Sequence, residues 1–390
     1  MIKSFKYRLY PTSPQERQLE HMLEVCRHWY NLCLEERKTA WEESGVSIGK
    51  FFQLSRVKEY KQFYGVGLHS HMLQVVVQDL DKAFQNFFRR VKAGETPGYP
   101  RFKGADRFDS IGLKEYGNGF KIDGRRLHVT GIGRIRVRWH REIEGQIKTV
   151  RLRKQAGEWF ACFSCDVPDS PSPVPTDMEV GIDVGIHHLA ATSDGEVIEN
   201  PKWYRGAQKK LRVAQRRVSR RTKGGSNRRK AIVQLQKQHE HVKNCREDYL
   251  NKLAYWLIQH YDRIAIEDLT IKGMVRNHHL SKSIMDAGWG YLKQRLMSKA
   301  EEAGRQVILV NPAFTSKTCS NCGQEIQGLT LADRWVTCPC GLSEDRDVNA
   351  AKNILARANQ KASHTAGSAV CGVSTEDALW LPQEASQIYL

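Results

Sequence analysis

Glu179-Val180-Gly181-Ile182-Asp183-Val184-Gly185 is the stretch on which the reading of this chain turns. It is a Val/Ile-rich run of strand character that carries a carboxylate near its end, and burying such a group costs desolvation unless something compensates. The pattern recurs in Arg263-Ile264-Ala265-Ile266-Glu267-Asp268-Leu269. A third carboxylate, Asp347, opens the helical stretch Asp345-Arg346-Asp347-Val348-Asn349-Ala350-Ala351-Lys352-Asn353-Ile354-Leu355. Each has a bland reading alone, since an Asp at a helix start simply suits the helix dipole. Together, two acids at strand ends and one on a helix can gather two hard divalent cations. Such a pair suits phosphodiester hydrolysis, because it clamps both the attacking and the leaving oxygen. On this reading Asp183 bridges both ions, Glu267 completes one shell and Asp347 the other. Mg2+ is the expected ion, with Mn2+ as its substitute. Arg346 either steadies the scissile phosphate or is an exposed structural arginine. His187 and His188 are conceivable general bases that metal activation makes unnecessary.

Outward from this trio, strands are expected at 179–184, 188–192, 196–198, 263–269 and 306–310. Two long helices are expected over 201–260, one at 291–303 and one from Asp347 to about Ala358. That order of strands and helices is the one an RNase H-like sheet requires. Between the last two acids lie Cys319-x-x-Cys322 and Cys338-x-Cys340, four thiolates spaced for tetrahedral zinc. So short an insert cannot build a core, so the ion stands in for one, and a closed all-thiolate shell makes it structural. The C-x-C half is tighter than the commoner C-x-x-C. Cys26 and Cys33 fall on the apolar face of a helix as core residues. Cys162 and Cys165 lie in a strand that turns them to opposite faces, which argues against a metal or redox pair.

The chain of 390 residues carries a formal net charge of +18, so a polyanion is the expected partner, nucleic acid first. From 201 to 230 Lys202, Arg205, Lys209, Lys210, Arg212, Arg216, Arg217, Arg220, Arg221, Lys223, Arg228, Arg229 and Lys230 occur without one carboxylate. A solvated helix face is the plain alternative, but the missing acids favour nucleic-acid contact. Arg134, Arg136 and Arg138 alternate with Ile135 and Val137, giving either a phosphate-facing stripe or a solvated edge strand. No apolar run is long enough to span a membrane. The start, Met1 to Arg8, lacks the apolar core of a signal peptide, so a cytoplasmic location is expected.

The N-terminal half reads as a strand over 1–10, then a helix capped by Ser13 and Glu16 with Leu19, Met22, Leu23, Cys26, Trp29, Tyr30 and Cys33 inward. A second helix is expected over about 71–91, with Val75, Val76, Leu80, Phe84, Phe87 and Phe88 inward. Short strands separated by turns follow over 108–167, and a Pro/Ser linker closes this half.

Several of these blocks resemble TnpB, the OrfB-type protein of insertion sequences, kin to the type V CRISPR effector nucleases. They are residues 3–11, Trp29-Tyr30-Asn31, Pro97-Gly98-Tyr99-Pro100-Arg101-Phe102-Lys103, Gly181-Ile182-Asp183-Val184-Gly185, the basic helices around 210–229, and Ile266-Glu267-Asp268-Leu269. The last runs from Thr315-Ser316-Lys317-Thr318-Cys319-Ser320-Asn321-Cys322-Gly323 through Asp345-Arg346-Asp347-Val348-Asn349-Ala350-Ala351. The shortened Cys338-Pro339-Cys340 spacing departs from the family pattern. The resemblance implies an α+β multidomain protein. Its parts would be a wedge-like β-barrel (1–10 and 106–170), a helical recognition lobe (11–105), a linker (171–178), an RNase H-like (RuvC) nuclease domain (179–360) and a mobile tail (361–390). The nuclease domain would hold the basic helices (201–260) and a zinc-ribbon insertion (314–343). It further implies catalytic Asp183, Glu267 and Asp347, and a transposon-encoded guide RNA that pairs with double-stranded target DNA beside a short motif read by the protein. Nucleic-acid contacts would include Arg101 and Lys103 beside the basic residues above. A monomer in the RNA complex, associated with a prokaryotic nucleoid, is the expected state. A nuclease-inactive RNA-guided repressor and a strand-transferring transposase or its accessory are the rivals.

Overall fold

The computed structural model describes residues 1–64, 67–169, 173–330 and 333–365. The chain divides into two compact units, Met1–Asp169 with Arg217–Lys237, and Ser170–Arg216 with Gln238–Leu390. The expected tail beyond residue 365 and residues 171–172 of the expected linker lie outside the described residues.

The first unit opens with β1 (Ile2–Tyr10), followed by helices α1 (Ser13–Ser44), α2 (Lys50–Ser55), α3 (Val57–Phe63) and α4 (Ser70–Lys92). Strands β2 (Ser110–Lys114), β3 (Phe120–Asp123), β4 (Arg126–Val129), β5 (Gly133–Arg138), β6 (Gln146–Gln155) and β7 (Glu158–Asp166) complete it. They form one antiparallel sheet of order β2-β6-β7-β1-β5-β4-β3. Alternation turns Phe5, Tyr7 and Leu9 of β1 and Trp159, Ala161, Phe163 and Cys165 of β7 to one buried face. Helices α1 and α4 cover that face, with Leu19, Met22, Cys26, Trp29, Met72, Val76 and Leu80 in the same core. Gly112 of β2 sits under Val75 of α4, where a Cβ would stand 2.5 Å from Val75 Cγ1. Among the described residues β2 and β3 do not pair, so the expected barrel is an open seven-stranded sheet whose concave side the helices fill. The N-cap of α1 is Thr12, with Gln15 closing the box, rather than Ser13 and Glu16. Phe88, expected inward, is exposed near the end of α4.

The second unit holds β8 (Glu179–Val184), β9 (His188–Thr192), β10 (Val197–Glu199), α5 (Trp203–Ser219), α6 (Ser226–His260) and β11 (Arg263–Glu267). After α7 (Ile271–Met274), α8 (Ser281–Ala287) and α9 (Trp289–Ala303) come β12 (Gln306–Val310), the small ribbon β13 (Trp335–Thr337) and β14 (Ser343–Asp345), and α10 (Arg346–Thr365). The division places residues 217–237, at the junction of α5 and α6, with the first unit. The larger sheet has the order β10-β9-β8-β11-β12, antiparallel on the β9 side of β8 and parallel from β8 through β11 to β12.

Its two faces differ in chemistry. Val180, Ile182 and Val184 of β8, with Ile264 and Ile266 of β11, pack against α6, α8 and α9 around Leu250, Leu257, Ile284, Leu292 and Leu296. The alternate residues, Gly181 and Asp183 on β8 and Ala265 and Glu267 on β11, share the other face. There Ala265 joins Val310 and α10's Ile354 and Ala358 in a separate small core. That face carries the acids.

Candidate active site

Parallel pairing sets Ile182 opposite Ile266, so Asp183 and Glu267 stand at matching levels on strands about 4.8 Å apart. Small residues beneath them let α10 come close. A Cβ on Gly181 would lie 2.0 Å from the Ala351 carbonyl oxygen and 2.8 Å from the Leu355 nitrogen. Asp347 lies four residues before Ala351, about 6 Å along the helix, and Asp183 two residues beyond Gly181, about 6.6 Å along the strand. The near-equal steps bring Asp347 towards Asp183. Accordingly an Asp347 carboxylate oxygen comes within 4.0 Å of where a Gly185 Cβ would be.

The electrostatics agree. Burial raises the Asp183 carboxyl well above the usual carboxylate range, and the Glu267 and Asp347 charges push it the same way, against the Arg346 guanidinium. Glu267 is 8% exposed and is also raised by burial, while a hydrogen bond from Thr315 Oγ1 to its Oε1 (2.5 Å) opposes the shift. Asp347 begins α10 under a cap in which Asp345 Oδ1 accepts from the Asp347 and Val348 amides at 2.8 and 3.2 Å. Arg334 stands 3.9 Å from the Asp347 carboxylate. Among the described residues only the four cysteines bring one ligand atom each within 4.8 Å of one another, so the carboxylates are spread wider than a single ion's shell.

Neighbouring polar groups have other employment. Arg346 donates to the Thr330 carbonyl (2.7 Å) and the Asp333 carbonyl (3.3 Å), so its guanidinium is tied to the cysteine-bearing insert. Asp268 pairs with Lys293 at 2.8 Å, and His188 Nδ1 lies 3.6 Å from Glu199.

In the insert Cys319 Sγ lies 3.6 Å from Cys340 Sγ, and Cys322 Sγ lies 3.6 Å from Cys338 Sγ. Four bonds of about 2.3 Å to one tetrahedral ion would set sulfurs about 3.8 Å apart, so the quartet fits zinc with small adjustment. The Leu342 amide and then the Asn321 side chain draw the Cys340 thiol down to about 6.

The sequence-predicted basic residues are mostly solvent-facing. Lys210, Arg212, Arg216, Arg217, Arg220, Arg221 and Arg229 are exposed and Arg228 is half-buried. Among the described residues none of these forms an ion pair. Arg134, Arg136 and Arg138 are exposed on β5, with Arg134 paired to Asp123 at 2.6 Å. Arg101 is exposed, while the Lys103 backbone is clamped by the Asn31 side chain at 2.8 and 3.0 Å. Reading the sequence missed Thr315, although the Thr315-Ser316-Lys317-Thr318 run was in view, and Gly181, whose spacing to Asp183 was the available signal.

The fold is shared with a solved Cas12f1 chain. The Cas12f1 chain in a cryo-EM structure of the Cas12f1–sgRNA–target DNA complex superposes with a TM-score of 0.58 at 14% identity, over 91% of this chain and 98% of that one. In sequence, the OrfB_IS605 family profile, "Probable transposase", matches residues 162–278, and the Cas12f1-like TNB domain matches 289–354. The family's helix-turn-helix domain matches residues 1–45, which here form β1 and the long α1. A "Putative RNA-guided DNA endonuclease" of Streptomyces pristinaespiralis is 35% identical over 91% of this chain and 89% of its own length. InsQ of Escherichia coli K12, which carries the same description, is 30% identical over 99% and 98%. The chain belongs to the TnpB-type OrfB_IS605 family.

Proposed function

We propose that this protein is an RNA-guided DNA endonuclease of a transposable element, cutting through the carboxylates Asp183, Glu267 and Asp347. One observation carries the proposal: Asp183 is held against its own ionisation by burial and by two further carboxylates. Such a cluster is comfortable as anions only around cations, and its all-oxygen donors fit Mg2+ or Mn2+. A pair of ions held there would activate a water and stabilise the departing 3′ oxygen. Asp183, which feels both of the other carboxylates, would be the ligand shared between the two ions. Thr315 donates to Glu267 Oε1 and so orients the carboxylate that would be a second ligand. Asp347 would supply a further ligand from the start of α10.

On this reading residues 179–360 are an RNase H-like (RuvC) domain and 314–343 a zinc ribbon. The open sheet of the first unit would be the wedge-like domain and α1–α4 the helical recognition lobe. The guide RNA and target DNA assignments are supported by the relatives' names and by the Cas12f1 complex. The exposed basic residues between 210 and 229, which form no ion pair among the described residues, suit a phosphate backbone, where charge rather than base identity is read. Incubating the RNA-bound protein with target DNA and Mg2+ tests the proposal: Asp183→Ala should abolish cutting and leave binding intact. Stable binding without cleavage by the wild type would favour a repressor, and joined DNA ends would favour a strand-transferring transposase.

A further inference from the structure

We propose that Thr315 and Asn353 are positioning residues through which the cysteine quartet sets the active-site carboxylate Glu267. This rests on the metal-dependent reading of the carboxylate site. Thr315 is buried, and its single hydroxyl hydrogen has two acceptors in reach, Glu267 Oε1 at 2.5 Å and the Pro312 carbonyl at 3.1 Å. Once Glu267 is ionised the charge-assisted bond prevails. The backbone that presents this hydroxyl is unusual, because Phe314 stands at φ +63, a left-handed conformation that a bulky residue adopts only when its surroundings enforce it.

The Phe314 carbonyl is held by the Thr318 amide and hydroxyl at 3.1 and 2.8 Å, and Asn353 fixes the turn that follows. Its amide donates to the Thr315 carbonyl at 2.9 Å and to the Thr318 carbonyl at 2.6 Å, so both hydrogens are spent on this one turn. One helical turn earlier, Asn349 is fully buried, donates to the Thr318 carbonyl at 2.8 Å and accepts from the Ser320 amide at 2.8 Å. The two asparagines therefore grip the chain on both sides of Cys319, a member of the quartet. Ser320 is further tied to Glu344 at 2.9 Å. With Cys319 fixed by metal, residues 314–320 have one arrangement, and Thr315 meets Glu267. With the quartet unligated, the grip on Thr318 and Ser320 relaxes and the Thr315 hydroxyl can turn to Pro312. The insert thereby acts on the second ligand of the carboxylate site, apart from any contact it makes with nucleic acid.

The test uses the RNA-bound full chain and reads Mn2+ binding by electron paramagnetic resonance beside single-turnover cleavage. Thr315→Val keeps the shape and removes the donor; it should weaken Mn2+ binding about tenfold, the low end of what outer hydrogen bonds to metal ligands contribute. Cleavage should fall in parallel at limiting metal and recover at high metal. Thr315→Ser should restore both, with zinc content and target binding unchanged in either variant. Should Thr315→Val not fold, removing zinc from the folded wild-type complex with a chelator supplies the second arm, and it should weaken Mn2+ binding to the same degree. Unchanged Mn2+ affinity in a folded Thr315→Val, or after zinc removal, overturns the relay. Asp183→Ala separates this from the wider reading: if that variant still cuts, the carboxylate site itself is wrong, whereas an inactive Asp183→Ala beside a normal Thr315→Val sinks only the relay.

Discussion

Gly181→Ala adds one methyl group to the strand that carries Asp183, and the structure says what that group meets. Its Cβ would lie 2.0 Å from the Ala351 carbonyl oxygen, 2.8 Å from the Leu355 nitrogen and 3.0 Å from the Leu355 Cβ. The two nearest are backbone atoms of a helix, so no side chain can swing aside. A carbon and a carbonyl oxygen approach to about 3.3 Å at closest, so α10 has to retreat by about 1.3 Å. Asp347, one turn earlier on that helix, moves with it. Metal–oxygen bonds tolerate about 0.2 Å, and a displacement of this order at a reacting centre costs about 100-fold in rate. The expected result is therefore a loss of about 100-fold in single-turnover cleavage by the RNA-bound protein at saturating Mg2+, with target binding close to wild type. Overpacking also lowers stability by about 1–3 kcal/mol, visible as a depressed melting temperature. Gly206→Ala is the control, because a Cβ there meets nothing within 4 Å. A Gly181→Ala protein that cuts within about threefold of wild type, a change worth only ~0.65 kcal/mol, refutes the claim that this close approach sets the carboxylate geometry.

Three further outcomes are expected. Asp183→Asn should stop cleavage while stabilising the metal-free chain at neutral pH, since it removes a carboxylate that burial and two like charges oppose. A carboxyl raised on folding binds more protons in the folded state than in the unfolded one. The wild type without metal therefore loses stability as pH rises from the ordinary aspartate value through the raised one, and parallel melting curves for wild type and Asp183→Asn would count against this. Cys319→Ser should lower zinc content below about one per chain and loosen the 314–343 segment to proteolysis; retained zinc by elemental analysis speaks against the tetrathiolate. Changing Arg216, Arg217 and Arg220 together to Glu should weaken nucleic-acid binding and reduce its salt slope by about 2.7 if each meets one phosphate, and an unaltered slope removes them from the interface.

Much of the second unit was legible in its sequence because its strands are short apolar runs, rich in Val or Ile in β8, β11 and β12. The expected spans 179–184, 188–192 and 306–310 coincide with β8, β9 and β12, and 263–269 overruns β11 by two residues. The sheet of the first unit was less legible. Whether seven strands close or stay open depends on pairing between β2 and β3, which no local pattern encodes, and on α1 and α4 occupying the concave side. The cap of α1 was misplaced by one residue because Thr12 and Ser13 are both competent caps, and only the Gln15 hydrogen bond decides between them. Arg346 had two sequence readings, and its contacts with Thr330 and Asp333 give it a structural task. The helix from Asp347 was expected to stop near Ala358 but runs to Thr365, since no Gly or Pro interrupts it before then.

What the sequence encoded most compactly about the site was a pair of dipeptide spacings. Gly181-x-Asp183 and Ala265-x-Glu267 each place a small residue two positions before an acid, hence on the same strand face. A large residue at either small position would hold α10 off the sheet, and an acid without the small residue would have no helix-borne partner. The same helix shows the complementary economy. Ala351 meets Gly181, Ile354 and Ala358 meet Ala265, Asp347 reaches the acids, and Asn349 and Asn353 face the cysteine-bearing insert. One helix thus brings its own acid to the site and fixes the segment that orients Glu267. The cysteine quartet between the second and third acids in sequence then has a mechanical reason to be there: the segment joining β12 to α10 must be rigid if α10 is to return to the face of β8 in one register. A ligated quartet gives a short insert that rigidity without a core of its own.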